Sequence, residues 1–198
     1  MAPQDTIPIL HYFDLGRLGR GEVLRLFLRD AEIEFKDIRY PYESTWKATT
    51  GDLARHGATR TRKLPALEHG GNILTQHIPI LRYFSRELGR YDGETNDEKY
   101  LVDVVADIYI DWRFQWVIQL DKVTDQYKNE YVQKYYDVLD QYYSERGGPY
   151  LLGDTISYAD FAVYQSIDND ERIKTLPFRE AFEARPNIAA YIKETAAK

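Results

Sequence analysis

The sequence contains no cysteine and only one methionine. The absence of cysteine excludes disulfide bonds, thiolate metal sites and cysteine nucleophiles. Any thiol chemistry must therefore use a thiol that a ligand brings in. No segment approaches the roughly 20 consecutive apolar residues of a membrane-spanning helix, and the opening MAPQDTIPIL lacks a basic start followed by a long apolar run. We therefore expect a cytoplasmic protein with no membrane partner.

Positive charge is scarce in the second half of the chain. Residues 1–89 carry 13 basic and 11 acidic side chains, whereas residues 90–198 carry 13 and 21. This acidic excess argues against nucleic acid as a partner, and the slightly basic first half suits a small anion. With 43% hydrophobic residues, the 198-residue chain has enough apolar side chains for a core.

Short apolar runs alternate with helical stretches in the first half. IPILHYF and IEFKDIRY predict strands, and GEVLRLFLRDA between them predicts a helix. LPALE and NILT flank a turn at Gly70 and Gly71 and predict a hairpin, and IPILRYFSREL predicts a helix that ends at Gly89. This order predicts a thioredoxin-like α/β domain over residues 1–89.

The second half shows only helical patterns, which predicts an all-α domain over residues 90–198. Thr95 and Glu98 predict a capping box for a helix that begins near Asp97. Ser157 and Asp160 predict a second capping box, and YKNEYVQKYYDVLDQYYSE between the two predicts one continuous helix. Thirteen of the 17 tyrosines lie after Gly89, and we interpret them as packing residues rather than as a ligand-binding box.

Four stretches together resemble the cytosolic glutathione transferases of the tyrosine type, the sigma, pi, mu and alpha classes. They are HYF with GRGE in residues 11–22, KLPALEHGGNILTQHIPILRYF, EKYLVDVVADIYIDWRFQW and ISYADF. They span nearly the whole chain in the family's order. The resemblance implies the glutathione transferase fold, with a thioredoxin-like glutathione-binding domain and a helical domain that contributes the second-substrate site.

The resemblance implies that Tyr12 is the catalytic residue. In this family a tyrosine at the end of the first strand donates a hydrogen bond to the glutathione sulfur, and Tyr12 matches that position. Such a donor favours the charged thiolate, which is the nucleophile. The alternative, for Tyr12 taken alone, is a packed core aromatic. We interpret Arg20 as a residue that braces the turn beside Tyr12.

Several glutathione-binding residues are also implied by the resemblance. The backbone of Leu64, before a cis Pro65, would pair with the cysteinyl backbone of glutathione. Gln76 and the following helix N-terminus would bind the γ-glutamyl carboxylate, although His77 stands where the family usually has serine. An ordinary trans proline is the alternative for Pro65.

Two further implied contacts involve the carboxylate and ammonium ends of glutathione. Trp46 would bind the glycyl carboxylate, with Lys63 or Lys47 adding charge. Asp111 matches an acid that reaches across a homodimer interface to the γ-glutamyl ammonium. A solvated acidic helix face, shared with Asp103 and Asp107, is the alternative for Asp111.

The implied function is conjugation of the glutathione thiolate to an electrophilic, largely apolar small molecule. Glutathione would be a co-substrate, and no metal or other cofactor is expected. The alternatives are a glutathione-dependent isomerase, a dedicated biosynthetic conjugating enzyme, and a non-catalytic ligand-binding or scaffold protein. The basic stretch 47–63 is interpreted as a loop that either clamps an anion or is merely solvated. The expected second-substrate pocket consists of Phe13, Leu15, Arg113, Val117 and Ile118.

Overall fold

A computed structural model describes residues 7–43, 46–171 and 178–196. Contacts divide the chain into two units. The first unit runs to Phe84 and resumes at Pro186, and the second unit runs from Ser85 to Arg185. The expected division at residues 89 and 90 differs from this one chiefly at the end of the chain, where the residues from Pro186 onward pack with the first unit.

A four-stranded mixed sheet forms the centre of the first unit. Strand β1 runs parallel to β2 and antiparallel to β3, and β3 pairs with β4 in a hairpin, so the order across the sheet is β2-β1-β3-β4. This is the predicted thioredoxin-like arrangement. The strands are β1 (Ile9–Phe13), β2 (Lys36–Tyr40), β3 (Ala66–His69) and β4 (Asn72–Thr75).

The helices of the described chain follow the predicted pattern in most places, with two additions at the end of the chain and one after β2. They are α1 (Arg20–Asp30), α2 (Trp46–Arg55), α3 (His77–Leu88), α4 (Asn96–Ile118), α5 (Val132–Ser144), α6 (Tyr158–Asn169), α7 (Phe178–Glu183) and α8 (Pro186–Ala196). None of the helices among the described residues is long and apolar enough to cross a bilayer.

Helix α1 is buried along most of its surface, with Arg29 exposed, rather than on only the one apolar face that its sequence predicts. Val23, Leu24 and Phe27 are completely buried, but the charged residues Glu22 and Arg25 are only 1% exposed. The reason is that α8 packs against α1. The predicted helix therefore lies beneath a second helix that the sequence analysis did not identify.

The basic stretch 47–63 was predicted as a loop, and this prediction is wrong for its first half. Residues up to Arg55 belong to α2, and only the remainder is irregular. The helix is hard to recognise because threonines at 49 and 50 and Gly51 have low helix propensity. Most of its residues remain at least partly exposed, with Thr50 buried.

Both predicted capping boxes are present in the second unit. The Thr95 hydroxyl accepts from the Glu98 amide at 3.2 Å, and the Glu98 carboxylate accepts from the Thr95 amide at 3.2 Å, so α4 begins at Asn96. At α6 the Ser157 amide donates to the Asp160 carboxylate at 2.7 Å, and the Ser157 hydroxyl also donates to this carboxylate at 2.8 Å, so the box closes the start of that helix.

The predicted long helix after α4 is interrupted near its start. Tyr127–Tyr131 form a π-helical turn that leads directly into α5. The rings of Tyr127 and Tyr131 stack with centroids 5.7 Å apart. Tyr127 and Tyr131 are four residues apart, a spacing that is also typical of neighbours on an α-helix. The sequence pattern therefore does not distinguish the π-helical turn from an α-helical one.

Three buried tyrosines of the second unit are packing residues with bonded hydroxyls, in line with the interpretation from the sequence, whereas Tyr100 is exposed. Tyr109 and Tyr135 are buried, and their hydroxyls donate to Gln165 at 2.8 Å and to Ser166 at 3.0 Å. The Tyr127 hydroxyl donates to buried Asp170 at 2.7 Å. Buried hydroxyls that are bonded in this way join helices without leaving polar atoms unsatisfied.

Candidate glutathione site

One end of the sheet in the first unit collects most of the predicted site residues. His11 pairs with Ala66, and Ala66 pairs with Thr75, so these three positions lie side by side across three strands. Tyr12 follows His11, Pro65 precedes Ala66, and Gln76 follows Thr75. Strand register therefore brings three distant segments to one sheet end.

Tyr12 is 5% exposed and lies against the first turn of α1. Its hydroxyl oxygen accepts a hydrogen bond from the Arg20 amide at 3.0 Å. This bond agrees with the prediction that Arg20 braces the turn, although the backbone rather than the side chain makes the contact. Because a phenol can accept one bond and donate another, the Tyr12 hydrogen is left to donate to a ligand.

The two glycines of the GRGE motif make room for Tyr12. A Cβ added at Gly19 would lie within 3.0 Å of the Tyr12 hydroxyl oxygen, and one added at Gly21 would lie within 3.0 Å of the ring. Gly19 also has φ of 86°, which favours glycine. These positions therefore need glycine in order to fit the tyrosine against α1.

An aromatic cluster follows Tyr12 along the chain. Phe13 is 8% exposed, and its ring contacts Tyr42 edge-on at 5.1 Å and Trp46 at 6.4 Å between centroids. The Lys47 ammonium lies 5.7 Å from the Trp46 ring centre. Trp46, at the start of α2, therefore lies beside the end of β1, with a cation next to its ring.

Residues 63–65 lie before β3. The Leu64–Pro65 peptide bond is cis, as the sequence analysis expected. Lys63 is exposed and its carbonyl accepts from the Thr59 hydroxyl at 2.9 Å. Leu64 is half-buried, and in the part of the chain that the structure describes neither of its backbone polar groups pairs with another backbone group.

Gln76 and His77 form the junction between β4 and α3. The Gln76 carbonyl accepts from the Ile80 amide at 3.0 Å, so Gln76 is the residue from which the helix starts. Gln76 is exposed and has φ of 69°, an uncommon conformation for a non-glycine residue that often marks a functional position. The His77 side chain, in contrast, is only 1% exposed.

A charged network that the sequence analysis did not predict lies beneath the turn after β1. Buried Glu22 accepts from the Tyr191 hydroxyl at 3.0 Å and from Arg25 at 3.4 Å, and Arg25 also donates to Asp37 at 3.0 Å. Burial raises the pKa of the Glu22 carboxyl, and the neighbouring Arg25 opposes this increase. Glu22 and Arg25 are three residues apart, which was the one local signal available for the pair.

A cavity of about 610 Å³ borders this network in the first unit. Its lining carries both signs of charge and therefore does not favour a ligand of one sign. The lining residues with charge are Asp14, Arg17, Arg25, Arg29, Asp37, Arg39 and Glu194.

The acidic residues of α4 are not equivalent. Asp103 is half-buried and accepts a hydrogen bond from Tyr158, so it has a structural partner. Asp107 and Asp111 are exposed. Burial, and secondarily the Asp111 carboxylate, raise the pKa of Tyr131, which places Asp111 near the π-helical turn.

The other predicted second-substrate residues have contrasting environments. Leu15 is half-buried in the first unit, and Val117 and Ile118 on α4 are 44% and 57% exposed. Arg113 is only 7% exposed, and its guanidinium lies 4.5 Å from the centre of the Trp116 ring. Within the described ranges, no group of three or more histidine or acidic side chains is placed to hold a metal ion.

Comparison with known proteins identifies the family. The model described as glutathione S-transferase, N-terminal domain, matches residues 8–86, and glutathione S-transferase, C-terminal domain, matches residues 110–195. Glutathione S-transferase alpha-3 of Rattus norvegicus is 30% identical, covering 84% of this chain and 75% of its own. Glutathione S-transferase P 10 of Caenorhabditis elegans is 28% identical, covering 96% and 92%.

A solved structure shows the same fold. The pi-class glutathione S-transferase of Onchocerca volvulus matches with a TM-score of 0.83 at 24% identity, covering 97% of this chain and 95% of its own. The resemblance inferred from the four sequence stretches is therefore confirmed. The chain belongs to the glutathione S-transferase family.

Proposed function

We propose that this protein conjugates the thiolate of glutathione to an electrophilic, largely apolar small molecule. The observation that carries the proposal is the hydrogen bond from the Arg20 amide to the Tyr12 hydroxyl oxygen at 3.0 Å. This bond fixes the oxygen at the N-terminus of α1 and leaves the phenolic hydrogen to donate to a sulfur. A donor to sulfur lowers the pKa of a thiol below its usual value near 8.5.

The chemistry needs no group beyond glutathione and the electrophile. The thiol loses its proton to solvent, Tyr12 stabilises the thiolate, and the sulfur forms a bond to an electrophilic carbon. Where that carbon bears a leaving group, the bond to it breaks and the group departs with the electron pair. The absence of cysteine from the sequence leaves glutathione to supply the thiol.

The sheet end supplies groups that fit the glutathione backbone. The amide and carbonyl of Leu64, which pair with no backbone group among the described residues, suit an extended peptide that adds beside β3. The α3 N-terminus at Gln76 suits the γ-glutamyl carboxylate, because helix N-termini favour anions. His77 lies buried within the first turn of α3, so in this proposal Gln76 and the backbone carry the contact and His77 contributes chiefly by packing. Trp46 and Lys63 suit the glycyl carboxylate.

The proposed assembly is a cytoplasmic homodimer. Asp111 is exposed on α4, and on the same helix face Phe114 and Ile118 are 63% and 57% exposed. An exposed apolar face with an acid at one end suits a second copy of the chain, with Asp111 binding the γ-glutamyl ammonium held by the partner. Dilution below the dimer dissociation constant should then weaken glutathione binding. A monomer that binds glutathione fully would contradict the role of Asp111.

A non-catalytic binding protein is the second candidate. It is favoured by one observation, the burial of His77 at the position where the family usually presents a serine hydroxyl. Calorimetric titration with glutathione followed by assay with a chloronitrobenzene separates the two candidates. Binding without turnover would support the second one.

The direct test of the mechanism is Tyr12→Phe. Loss of the hydroxyl should lower kcat by roughly 10 to 100-fold, about 1.4 to 2.7 kcal/mol, with little change in glutathione affinity. Tyr142→Phe, on α5, is the matched control and should retain full turnover. Undiminished kcat in Tyr12→Phe would remove Tyr12 from the mechanism.

A further inference from the structure

A cavity of about 360 Å³ lies wholly within the second unit, between the end of α4 and the start of α5. Its volume is at the lower end of the range of small-ligand pockets. None of its lining residues has a role in the proposed conjugation. The lining residues are Gln115, Gln119, Thr124, Gln126, Tyr127, Glu130, Tyr131 and Lys134.

The backbone beside this cavity has an uncommon conformation. Tyr127 and Tyr131 are the first and last residues of the π-helical turn, and both line the cavity. Turns of this kind are rare and are frequently found at functional sites. The two rings stack with an angle of 16° between their planes, and Tyr131 is half-buried. The turn therefore gives the cavity a flat aromatic surface.

Gln119 is fixed in one orientation at the end of α4. Its side-chain oxygen accepts from the Thr124 amide at 2.8 Å and from the Thr124 hydroxyl at 3.0 Å. The Thr124 hydroxyl oxygen accepts in turn from the Tyr127 amide at 3.2 Å. These bonds join the end of α4 to the start of the π-helical turn.

The NH2 group of Gln119 remains to donate into the cavity. Gln119 is 9% exposed and lines the cavity, and within the described ranges its side chain makes only the two hydrogen bonds that its oxygen accepts. A nearly buried donor is stabilised by an acceptor. A ligand with an acceptor atom at this position would therefore gain a hydrogen bond to a donor that is already oriented.

The other polar residues of the lining favour a neutral ligand. Glu130 and Lys134 have opposite charges, and the remaining lining residues are neutral, so the lining favours neither an anion nor a cation. Gln115 lies one turn before Gln119 on α4 and adds a second carboxamide, which can both donate and accept. The matching ligand is uncharged and has donors and acceptors along one edge.

We propose that this cavity binds a neutral purine base such as adenine. The flat faces of a purine stack on a tyrosine ring, and its ring nitrogens accept from a carboxamide NH2 group. The amino group of adenine donates to a carboxamide oxygen, which Gln115 supplies. Because the lining has no excess of positive charge, the base rather than a phosphate is the recognised group. The site does not depend on the conjugating function.

Three probes separate the contributions to binding. Adenine has flat aromatic faces and acceptor nitrogens, indole has the same bicyclic shape without an acceptor nitrogen, and glucose has hydroxyls without an aromatic face. Calorimetric titration of the whole protein at neutral pH should show that adenine binds at least about 10-fold more tightly than either of the others. The proposal is overturned if adenine at millimolar concentration fails to bind, or binds no more tightly than indole or glucose.

Two variants of Gln119 test the oriented donor. Gln119→Met removes the carboxamide, whereas Gln119→Glu keeps an oxygen for Thr124 and removes the NH2 group. Both should weaken adenine binding by about 10-fold or more. Wild-type affinity in Gln119→Glu would show that the NH2 group is not used and would overturn the proposal. Gln141→Leu is the control, because Gln141 is exposed on α5 outside the lining, and it should bind adenine like the wild type.

Tyr131 tests the aromatic surface. Tyr131→Leu should weaken adenine binding by about 10-fold, and Tyr131→Phe should retain it because the ring remains. Tyr100→Leu is the control, since Tyr100 is 72% exposed on α4 outside the lining. Unchanged affinity in Tyr131→Leu, or an equal loss in either control variant, would contradict binding at this cavity. Far-UV circular dichroism establishes that each variant is folded.

Discussion

Glu22 in the first unit and Asp160 in the second are both buried carboxylates, but they have different kinds of partner. Asp160 accepts four hydrogen bonds from neutral donors, from the Ser157 amide and hydroxyl, the Tyr143 hydroxyl and the Leu151 amide, at 2.7 to 3.1 Å. Glu22 accepts from the Arg25 guanidinium at 3.4 Å and from the Tyr191 hydroxyl at 3.0 Å. Its Oε1 atom lies 4.0 Å from Nε of Arg17 and accepts no hydrogen bond from the residues that the structure describes.

This difference shows two ways of keeping a carboxylate inside a protein. Burial raises the pKa of both groups, and their hydrogen bonds act against it. Both carboxylate oxygens of Asp160 accept two hydrogen bonds each, so a substitution at this position leaves at least one buried donor without its acceptor. Glu22 is held by a neighbouring arginine and by a hydroxyl of α8. With fewer hydrogen bonds to lose, substitutions around Glu22 should change stability less than substitution of Asp160.

The largest expected effect on stability is that of substituting Asp160, which accepts four hydrogen bonds. Each carboxylate oxygen of Asp160 accepts two hydrogen bonds, and Asp160→Asn replaces one of these oxygens with an NH2 group, which only donates. Two of the four surrounding donors therefore lose their acceptor. The free energy of unfolding should fall by about 3 kcal/mol, measured by urea denaturation. Exposed Asp154 gives the control Asp154→Asn, with a change within about 0.5 kcal/mol. A loss in Asp160→Asn no larger than the control's would show that the four bonds are replaceable.

The second prediction concerns the first turn of α1, which contains Glu22 and packs against Tyr12 through Gly21. Gly21→Ala would place a Cβ within 3.0 Å of the Tyr12 ring and displace it. We expect kcat/KM to fall on the order of 30-fold, about 2 kcal/mol, because the hydroxyl moves away from the sulfur. Gly147→Ala is the control, because its added Cβ meets no atom within 4 Å. Equal activity of the two variants would show that Tyr12 adjusts freely.

The third prediction tests the distant partner of Glu22. Tyr191→Phe removes the hydroxyl that donates to the carboxylate at 3.0 Å and should lower the free energy of unfolding by about 1.5 kcal/mol. Amide hydrogen exchange should also quicken in α8, because the bond ties α8 to α1. Exposed Tyr100 gives the control Tyr100→Phe, for which we expect no change. Unaltered exchange in α8 would mean that apolar packing alone holds this helix.

The smallest expected effect is a dependence on pH. Because the folded pKa of Glu22 is raised above its ordinary value of 4.5, its stabilising contribution is complete below that value and is lost as pH rises through the folded pKa. Glu22→Gln should therefore become less destabilising, relative to the wild type, from about pH 4.5 to 7. Unfolding free energies at several pH values measure this trend, with Glu194→Gln as the exposed control. A difference that grows with pH would contradict the raised pKa.

Local partners explain which features the sequence predicted. The capping boxes at Thr95 and Ser157 join residues three positions apart, and both were identified. The hairpin turn and the end of α3 depend on glycines that are visible in the sequence. Tyr12 and the cis Pro65 were identified only through resemblance, because a single tyrosine or proline carries no local sign of its role.

Distant partners explain what the sequence did not predict. Tyr191 and Glu22 are 169 residues apart, so no spacing rule connects them or predicts that α8 packs against α1. Helix α2 was not predicted because its sequence contains residues of low helix propensity. The π-helical turn was not predicted because its tyrosines have the spacing of an ordinary α-helix. The burial of Arg113 against the Trp116 ring likewise depends on packing that no sequence pattern indicates.

The return of α8 to the first unit has a consequence for synthesis on the ribosome. The second unit is continuous in sequence, and all of its residues have been made before α8 is translated. The first unit begins earlier but lacks the helix that covers α1 until residues 186–196 emerge. During that interval Glu22 has no Tyr191 to bind and the apolar side chains of α1 lack part of their cover. The unit translated first is therefore completed last, and its unfinished surface is where a chaperone would bind the nascent chain.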